Sequence, residues 1–185
     1  MSGHSKWSQI KRQKSVSDAA KSRVFSRFAR LITLESKRSN GVLSTPSLSV
    51  AIARAKAANM PKENIERAIA KGMSKDANNL EPVIYEAYGP GGVALLITAF
   101  TDNKNRTTQE IKHLLVLQGI ELANPGAASW AFTKTLEGNY TPNPPYMTVL
   151  GEDETRLSAV LTALDEHDDV QHIATNAEGY EDSGD

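Results

Sequence analysis

Val93-Ala94-Leu95-Leu96-Ile97-Thr98-Ala99-Phe100-Thr101 is apolar on both alternating faces. Such a run predicts a strand at the centre of a sheet, buried on each side. Just ahead of it, Gly89-Pro90-Gly91-Gly92 is a turn that no strand can continue through, and residues 83–88 supply the preceding strand. Behind it, a loop at 102–106 leads into a helix over about 107–118, with Ile111, Leu114, Leu115 and Gln118 on its apolar side and Gly119 as its stop. Residues 128–133 and 146–150 read as further strands. A helix follows over 152–167 with Leu157, Val160, Leu161 and Leu164 inward, and 170–175 is a last strand. From Val93 onward the order is βαββαβ, the ferredoxin-like split arrangement, with one extra strand before it. The expectation for residues 76–177 is therefore a ferredoxin-like α+β domain with an antiparallel sheet and two helices on one face. Residues 178–185 read as a short, acidic, disordered tail.

Upstream, the periodicity changes from two to 3.6. Val24, Phe25, Phe28, Leu31 and Ile32 form one helical stripe within a helix from Ser17 or Asp18 to about Ser39, which Gly41 ends. Arg23, Arg27 and Arg30 share a different face, so this helix is expected to pack while presenting a cationic ridge. Thr45-Pro46 reads as cap and first residue of a second helix, which buries Leu48, Ile52 and Ala55. Pro61 opens a third, with Ile65, Ala68 and Ile69 inward and Gly72 as the stop. Residues 17–75 thus read as a three-helix bundle domain. The polar stretch after it, with Pro82 and a reversal of charge sign, reads as the domain boundary. Residues 1–16 lack apolar periodicity and read as an extended basic arm.

The charge divides between the two halves. Up to Lys75 there are 16 Lys and Arg against 4 Asp and Glu, a net of +12; from Asp76 on there are 5 against 18, a net of −13. A segment this basic points to a polyanion, in the first place nucleic acid. With no cysteine among the 185 residues, disulfides, thiolate zinc sites and cysteine nucleophiles are excluded together. The four histidines (4, 113, 167 and 172) are scattered without metal-ligand spacing, and no nucleophile, base and orienter fall into a pattern. Neither an enzyme nor a cofactor is expected. No apolar run approaches the about 20 residues of a membrane span. The basic start has no apolar segment behind it, so a secretory signal is not expected. The expected location is the cytoplasm, with an organelle matrix left open because presequences share this composition.

The arm is the leading candidate site. Lys6, Lys11, Arg12 and Lys14 offer cations to phosphates, while His4 and Trp7 offer flat faces to unpaired bases. Aromatics among cations suit RNA or single strands better than duplex grooves. Trp7 reads equally well as a staple packed on the bundle. Lys21, Arg23 and Arg27 extend the basic surface along the first helix. Gly89-Pro90-Gly91-Gly92 lacks the lysine of a phosphate loop and leads into a strand, so no nucleotide site is expected. The acidic residues Glu152, Asp153, Glu154, Asp165, Glu166, Asp168 and Asp169 read as a solvated face that keeps this half off nucleic acid.

Three stretches, taken together, resemble the YebC family, which includes the mitochondrial translational activator of cytochrome c oxidase subunit I. They are Gly3-His4-Ser5-Lys6-Trp7 with Ile10-Lys11 and Asp18-Ala19-Ala20-Lys21; Tyr85-Glu86-Ala87-Tyr88-Gly89-Pro90-Gly91-Gly92; and Thr101-Asp102-Asn103-Lys104-Asn105-Arg106-Thr107. Ala128-Ser129-Trp130-Ala131-Phe132 and Asp168-Asp169-Val170-Gln171 continue the match. Family members typically carry a third domain inserted into the second, where this chain has only the short connection at 134–146. The resemblance adds Ser5 to the arm and implies a second nucleic-acid contact at Asn103, Lys104 and Arg106. The helix-capping role of Asp and Asn side chains is the plain alternative there. It also implies one of two functions. The first is a non-enzymatic translation factor that binds rRNA of the large ribosomal subunit and supports synthesis at difficult sequences. The alternative is a transcriptional regulator that binds duplex DNA. Against the latter, Arg67 and Lys71 share an edge of the third helix but no Asn or Gln joins them to read bases. A weaker third reading is an adaptor whose acidic sheet binds basic proteins. Neither a membrane nor a small-molecule substrate is expected as a partner.

Overall fold

The computed structural model describes residues 18–75, 80–135 and 138–180. Three helices come first: α1 (Asp18–Arg38), α2 (Pro46–Ala57) and α3 (Lys62–Met73). They close around Ile32, Leu48, Ala51, Ala55, Met60, Ile65 and Ala68, with Phe25, Phe28, Ile52 and Ile69 packed against this cluster. Of the predicted stripe on α1, Val24 is exposed. Pro46 occupies the first turn of α2 as its fixed φ favours, but Thr45 does not cap it; its hydroxyl donates to the Val42 carbonyl instead.

Gly72 is not the stop of α3 but one of its helical residues, and its role is packing. A Cβ there would lie 2.6 Å from both the Thr33 carbonyl oxygen and Ser36 Cβ on α1. Beside this close approach, Thr33 and Ser36 donate their hydroxyls across to the Ala68 and Ile69 carbonyls at 3.1 and 2.9 Å.

The second half holds a three-stranded antiparallel sheet ordered β1-β2-β5, from β1 (Glu81–Tyr88), β2 (Ala94–Thr101) and β5 (Val170–Thr175). The doubly apolar run is its central strand. A 3-10 turn, Pro90–Gly92, joins β1 to β2 in register from Glu81↔Thr101 to Tyr88↔Ala94. On one face, Tyr85, Ala87, Leu95, Ile97, Ala99 and Ile173 pack on α4 (Lys104–Leu117) and α5 (Glu152–Asp165), through Ile111, Leu115, Leu157, Val160, Leu161 and Leu164. On the other, Ala94, Leu96 and Ala174 meet Ala128, Ala131 and Phe132. That second cover is a 3-10 turn (Ser129–Ala131) leading into a hairpin of β3 (Phe132–Lys134) and β4 (Tyr140–Pro142).

The architecture is α+β, a helical domain followed by an antiparallel domain with two helices on one face. Its details depart from the predicted strand order. The run at 128–133 becomes turn plus hairpin and forms a separate two-stranded sheet, while 146–150 contributes one bridge, Met147↔Ala177. The third domain's expected place between 134 and 146 is taken by the hairpin. The chain also stays in the fold past residue 177. Tyr180 is buried, with its hydroxyl 3.0 Å from Ser158 Oγ, which corrects the expected tail for residues 178–180; residues 181–185 lie outside the described residues.

Candidate nucleic-acid interface

The predicted cationic ridge on α1 points inward. Arg27 donates from Nη1 to Asp165 Oδ1 at 3.0 Å, from Nε to the Val170 carbonyl at 2.9 Å, and from Nη2 to the Asp165 carbonyl. Arg30 donates to the Phe100 carbonyl at 2.8 Å and forms an ion pair with Asp169. The expectation of an open ridge is therefore corrected for Arg27 and Arg30: both dock the basic helical domain onto the acidic domain. The reason is charge complementarity within the chain, which spends part of the +12 on the −13 before any partner arrives.

Asp169 is the centre of that junction. It lies at the foot of β5, where the register against β2 shifts between Thr98 and Ala99 and the Asp169 carbonyl accepts from Phe100 N–H at 2.9 Å. A bulge of this kind redirects the chain and its side chains. The carboxylate is only 3% exposed. Besides Arg30 it receives Arg106 Nη2 at 3.0 Å and the Thr107 hydroxyl at 2.5 Å. Burial alone would push its pKa up; Thr107, Arg30 and Arg106 outweigh that and hold it below the ordinary value. Asp165 and Asp169 thus leave the predicted solvated acidic face and act as internal counter-ions.

The 102–106 segment is helix start rather than loop. Asn103 caps α4 by accepting from Arg106 N–H at 3.1 Å, and Arg106 bridges Asp102 and Asp169 at 3.0 Å each. Hydrogen bonding to Asp169 raises the Arg106 pKa further, so it stays charged. The structural role suggested for Asn103 is present. Arg106 is committed to carboxylates, so of the two cations in this segment Lys104 alone stands exposed with no ion pair among the described residues.

Glu110, His167 and Asp169 bring ligand-type atoms within 4.8 Å of one another. Two guanidinium groups already hold Asp169, and His167 is 3.0 Å from Glu110 through Nε2 while its Nδ1 accepts from Asp169 N–H at 3.1 Å. The trio belongs to the ion-pair junction.

His4, Ser5, Lys6, Trp7, Lys11, Arg12 and Lys14 lie outside the described residues. Of the predicted cations on α1, Lys21 is exposed and Arg23 half-buried, and neither forms an ion pair among the described residues. Sequence reasoning missed the docking role of Asp165, Asp169 and Thr107. The Asp168-Asp169-Val170-Gln171 run was its available signal, an acidic pair abutting a buried strand.

A second carboxylate organises the sheet's other face. Glu86, 7% exposed, accepts from the N–H groups of Gly126, Ala128 and Ser129 at 2.8, 2.6 and 2.8 Å. Burial raises its pKa, but these three donors bring it below the ordinary value. Glu86 thereby fixes the loop that carries Trp130, whose ring N–H donates to Tyr88 Oη at 3.0 Å.

These features define a two-domain α+β protein in which a basic helical unit is clasped to an acidic sheet unit, with surplus cations left over. Residues 5–75 match the model of the TACO1/YebC protein N-terminal domain, and residues 80–138 that of the TACO1/YebC second and third domain. The chain belongs to the TACO1/YebC family. A "probable transcriptional regulatory protein" of Petrotoga mobilis is 45% identical over 183 residues, covering 96% of this chain and 71% of the relative. One from Thermotoga maritima is 48% identical over 136 residues, which is 72% of this chain and 54% of the relative. Against that second relative the chain spans only about half the length. Among solved structures, a conserved hypothetical protein of Aquifex aeolicus superposes with a TM-score of 0.79 at 29% identity, covering 87% of this chain and 91% of that one. Among the described residues, no helix is long and apolar enough to cross a membrane.

Proposed function

We propose that this chain is a nucleic-acid-binding regulatory protein, acting without catalysis of its own in the cytoplasm. The observation that carries the reading is the surplus of positive charge that remains after docking. Lys21, Arg23, Lys56, Arg67, Lys71 and Lys75 of the helical domain form no ion pair among the described residues, and the arm adds Lys6, Lys11, Arg12 and Lys14. Cations held free on a folded surface supply the counter-ion release that drives binding to phosphates.

The names of the relatives support a regulator of transcription, a role whose partner would be duplex DNA. None of them speaks of ribosomes. A specific observation favours the second reading, an RNA or ribosome partner. The outward face of α3 mixes Glu63 and Glu66 with its cations, and Lys62 is tied to Glu66 at 3.5 Å. A helix entering a major groove would set those carboxylates against phosphates. In that reading the arm and first helix contact rRNA of the large subunit, and the effect on synthesis at difficult sequences comes from shaping the ribosomal site.

Co-sedimentation with ribosomes at two salt concentrations, run beside duplex-DNA binding, separates the two. The intact chain is compared with a Lys11/Arg12/Lys14→Ala variant. Salt-sensitive migration with the large subunit, lost in the variant, supports the RNA reading. Absence from all ribosomal fractions at low salt, with tight binding to duplex DNA, supports the transcriptional one. Binding to neither removes the proposal.

A further inference from the structure

Arg67 and Lys71 lie one turn apart on α3, and Lys21 stands on the neighbouring stretch of α1. All three are exposed and form no ion pair among the described residues. They converge on one open cleft of about 680 Å³ between α1, α3 and the Asp102 corner of the second domain. Its lining includes the half-buried ring of Phe25 and the side chain of Asn64, whose amide makes no hydrogen bond among the described residues. Arg30 also reaches this cleft but is paired to Asp169, so the free charge comes from the other three.

A phosphodiester strand with unpaired bases has the complementary chemistry: phosphates for the three cations, a flat π-face for Phe25, and base-edge donors and acceptors for the Asn64 amide. From these placements we propose that the cleft binds a segment of single-stranded nucleic acid, as a second contact separate from the arm. The proposal rests on the nucleic-acid reading above and adds to it the strandedness of the ligand and a location. The arm itself is an unsuitable occupant, because Lys6, Lys11, Arg12 and Lys14 carry the same sign as the rim. A duplex keeps its base faces stacked on one another, so it has none to offer the half-buried ring of Phe25. Asp18 and Asp102 line the cleft too; Asp102 is answered by Arg106 at 3.0 Å, which leaves the balance positive.

The test is fluorescence anisotropy on the full chain, with a short labelled single-stranded RNA and a duplex DNA of matched sequence, across a series of salt concentrations. Four variants accompany it: R67A/K71A, F25L, the Lys11/Arg12/Lys14→Ala arm variant, and K112A as an exposed control outside the cleft. Thermal melts by circular dichroism establish that each is folded. R67A/K71A is expected to weaken single-strand binding about tenfold and to lower the slope of log K against log salt by about 1.4, the value for two lost phosphate contacts on a single strand. F25L is expected to weaken it several-fold with the slope unchanged, since stacking releases no counter-ions. K112A is expected to bind like the parent.

Affinity and slope unaltered in R67A/K71A, with binding lost in the arm variant, overturn the cleft and leave the nucleic-acid reading standing. Equal or tighter binding of the duplex, with the same sensitivity to R67A/K71A, overturns the assignment to single strands. No binding by the parent chain to either probe at low salt removes the nucleic-acid reading and this inference with it.

Discussion

Asp169 receives side chains from two helices on opposite sides of a domain junction, and only Arg30 and Arg106 keep contact with water. Replacing it by Asn leaves both guanidinium groups facing a neutral amide that can no longer satisfy them. A cost of about 2 kcal/mol is expected, less than for a fully buried pair because Arg106 is 44% exposed. Urea unfolding of D169N against the parent checks it. The sign of the pH dependence follows from the lowered pKa. The carboxylate's contribution is fully present above its ordinary value of 3.8 and is lost as pH falls through the lower folded value. Stability measured from neutral pH down to 4 should therefore lose little from this group, with the loss falling below that range and absent in D169N. Gly72 offers a prediction of a different kind. G72A places a methyl 2.6 Å from a carbonyl oxygen on α1, and backbone cannot yield as a flexible side chain does. Despite the better helix propensity of Ala, a net loss of about 2 kcal/mol is expected by chemical denaturation.

Helix α1 faces both domains. Its Thr33 and Ser36 side meets α3, while Arg27 and Arg30 meet α5 and β5. Periodicity alone predicted the helix and its apolar stripe, because both follow from the 3.6-residue repeat. It could not predict where the arginines go. That depends on which acidic side chains, about 140 positions away in the sequence, are brought alongside by the fold, and hydrophobic pattern carries no such information. The same limit explains Gly72: a glycine near a helix end reads as a stop until the partner helix is known to need the space. Strand β2 was legible because burial on both faces leaves its mark within the strand itself. The hairpin at β3 and β4 was not, since three-residue strands fall short of any period. At this scale the expected effect of R27A/R30A is a loss of coupling between the domains. Differential scanning calorimetry should resolve two transitions where the parent shows one, and limited proteolysis should separate the two domains faster than in the parent. One unchanged transition would show that the apolar contacts suffice.

The whole chain is nearly neutral, at −1, yet its charges are segregated by domain. The candidate arm was legible at once, since cations and aromatics interleave within a few residues. The cleft was not, because Lys21 and Arg67 meet only through helix packing. Binding to any polyanion should fall linearly in log K with log salt, and the slope should reflect the cations left free rather than all 16 in the basic half. R27A, although it removes a positive charge, is expected to leave that slope unchanged, whereas K21A should lower it; a titration of each against the same single strand distinguishes them.

The segregation has a mechanical consequence. A body with almost no net charge but opposite poles feels little pull from a distant polyanion and a considerable torque from a near one. It should turn before it touches, basic pole first, which raises the fraction of collisions that arrive correctly oriented. The acidic pole then faces away from the strand, where it repels a second polyanion. One molecule would occupy one site without bridging two, and the bound strand would acquire an outer surface of the same sign as its own.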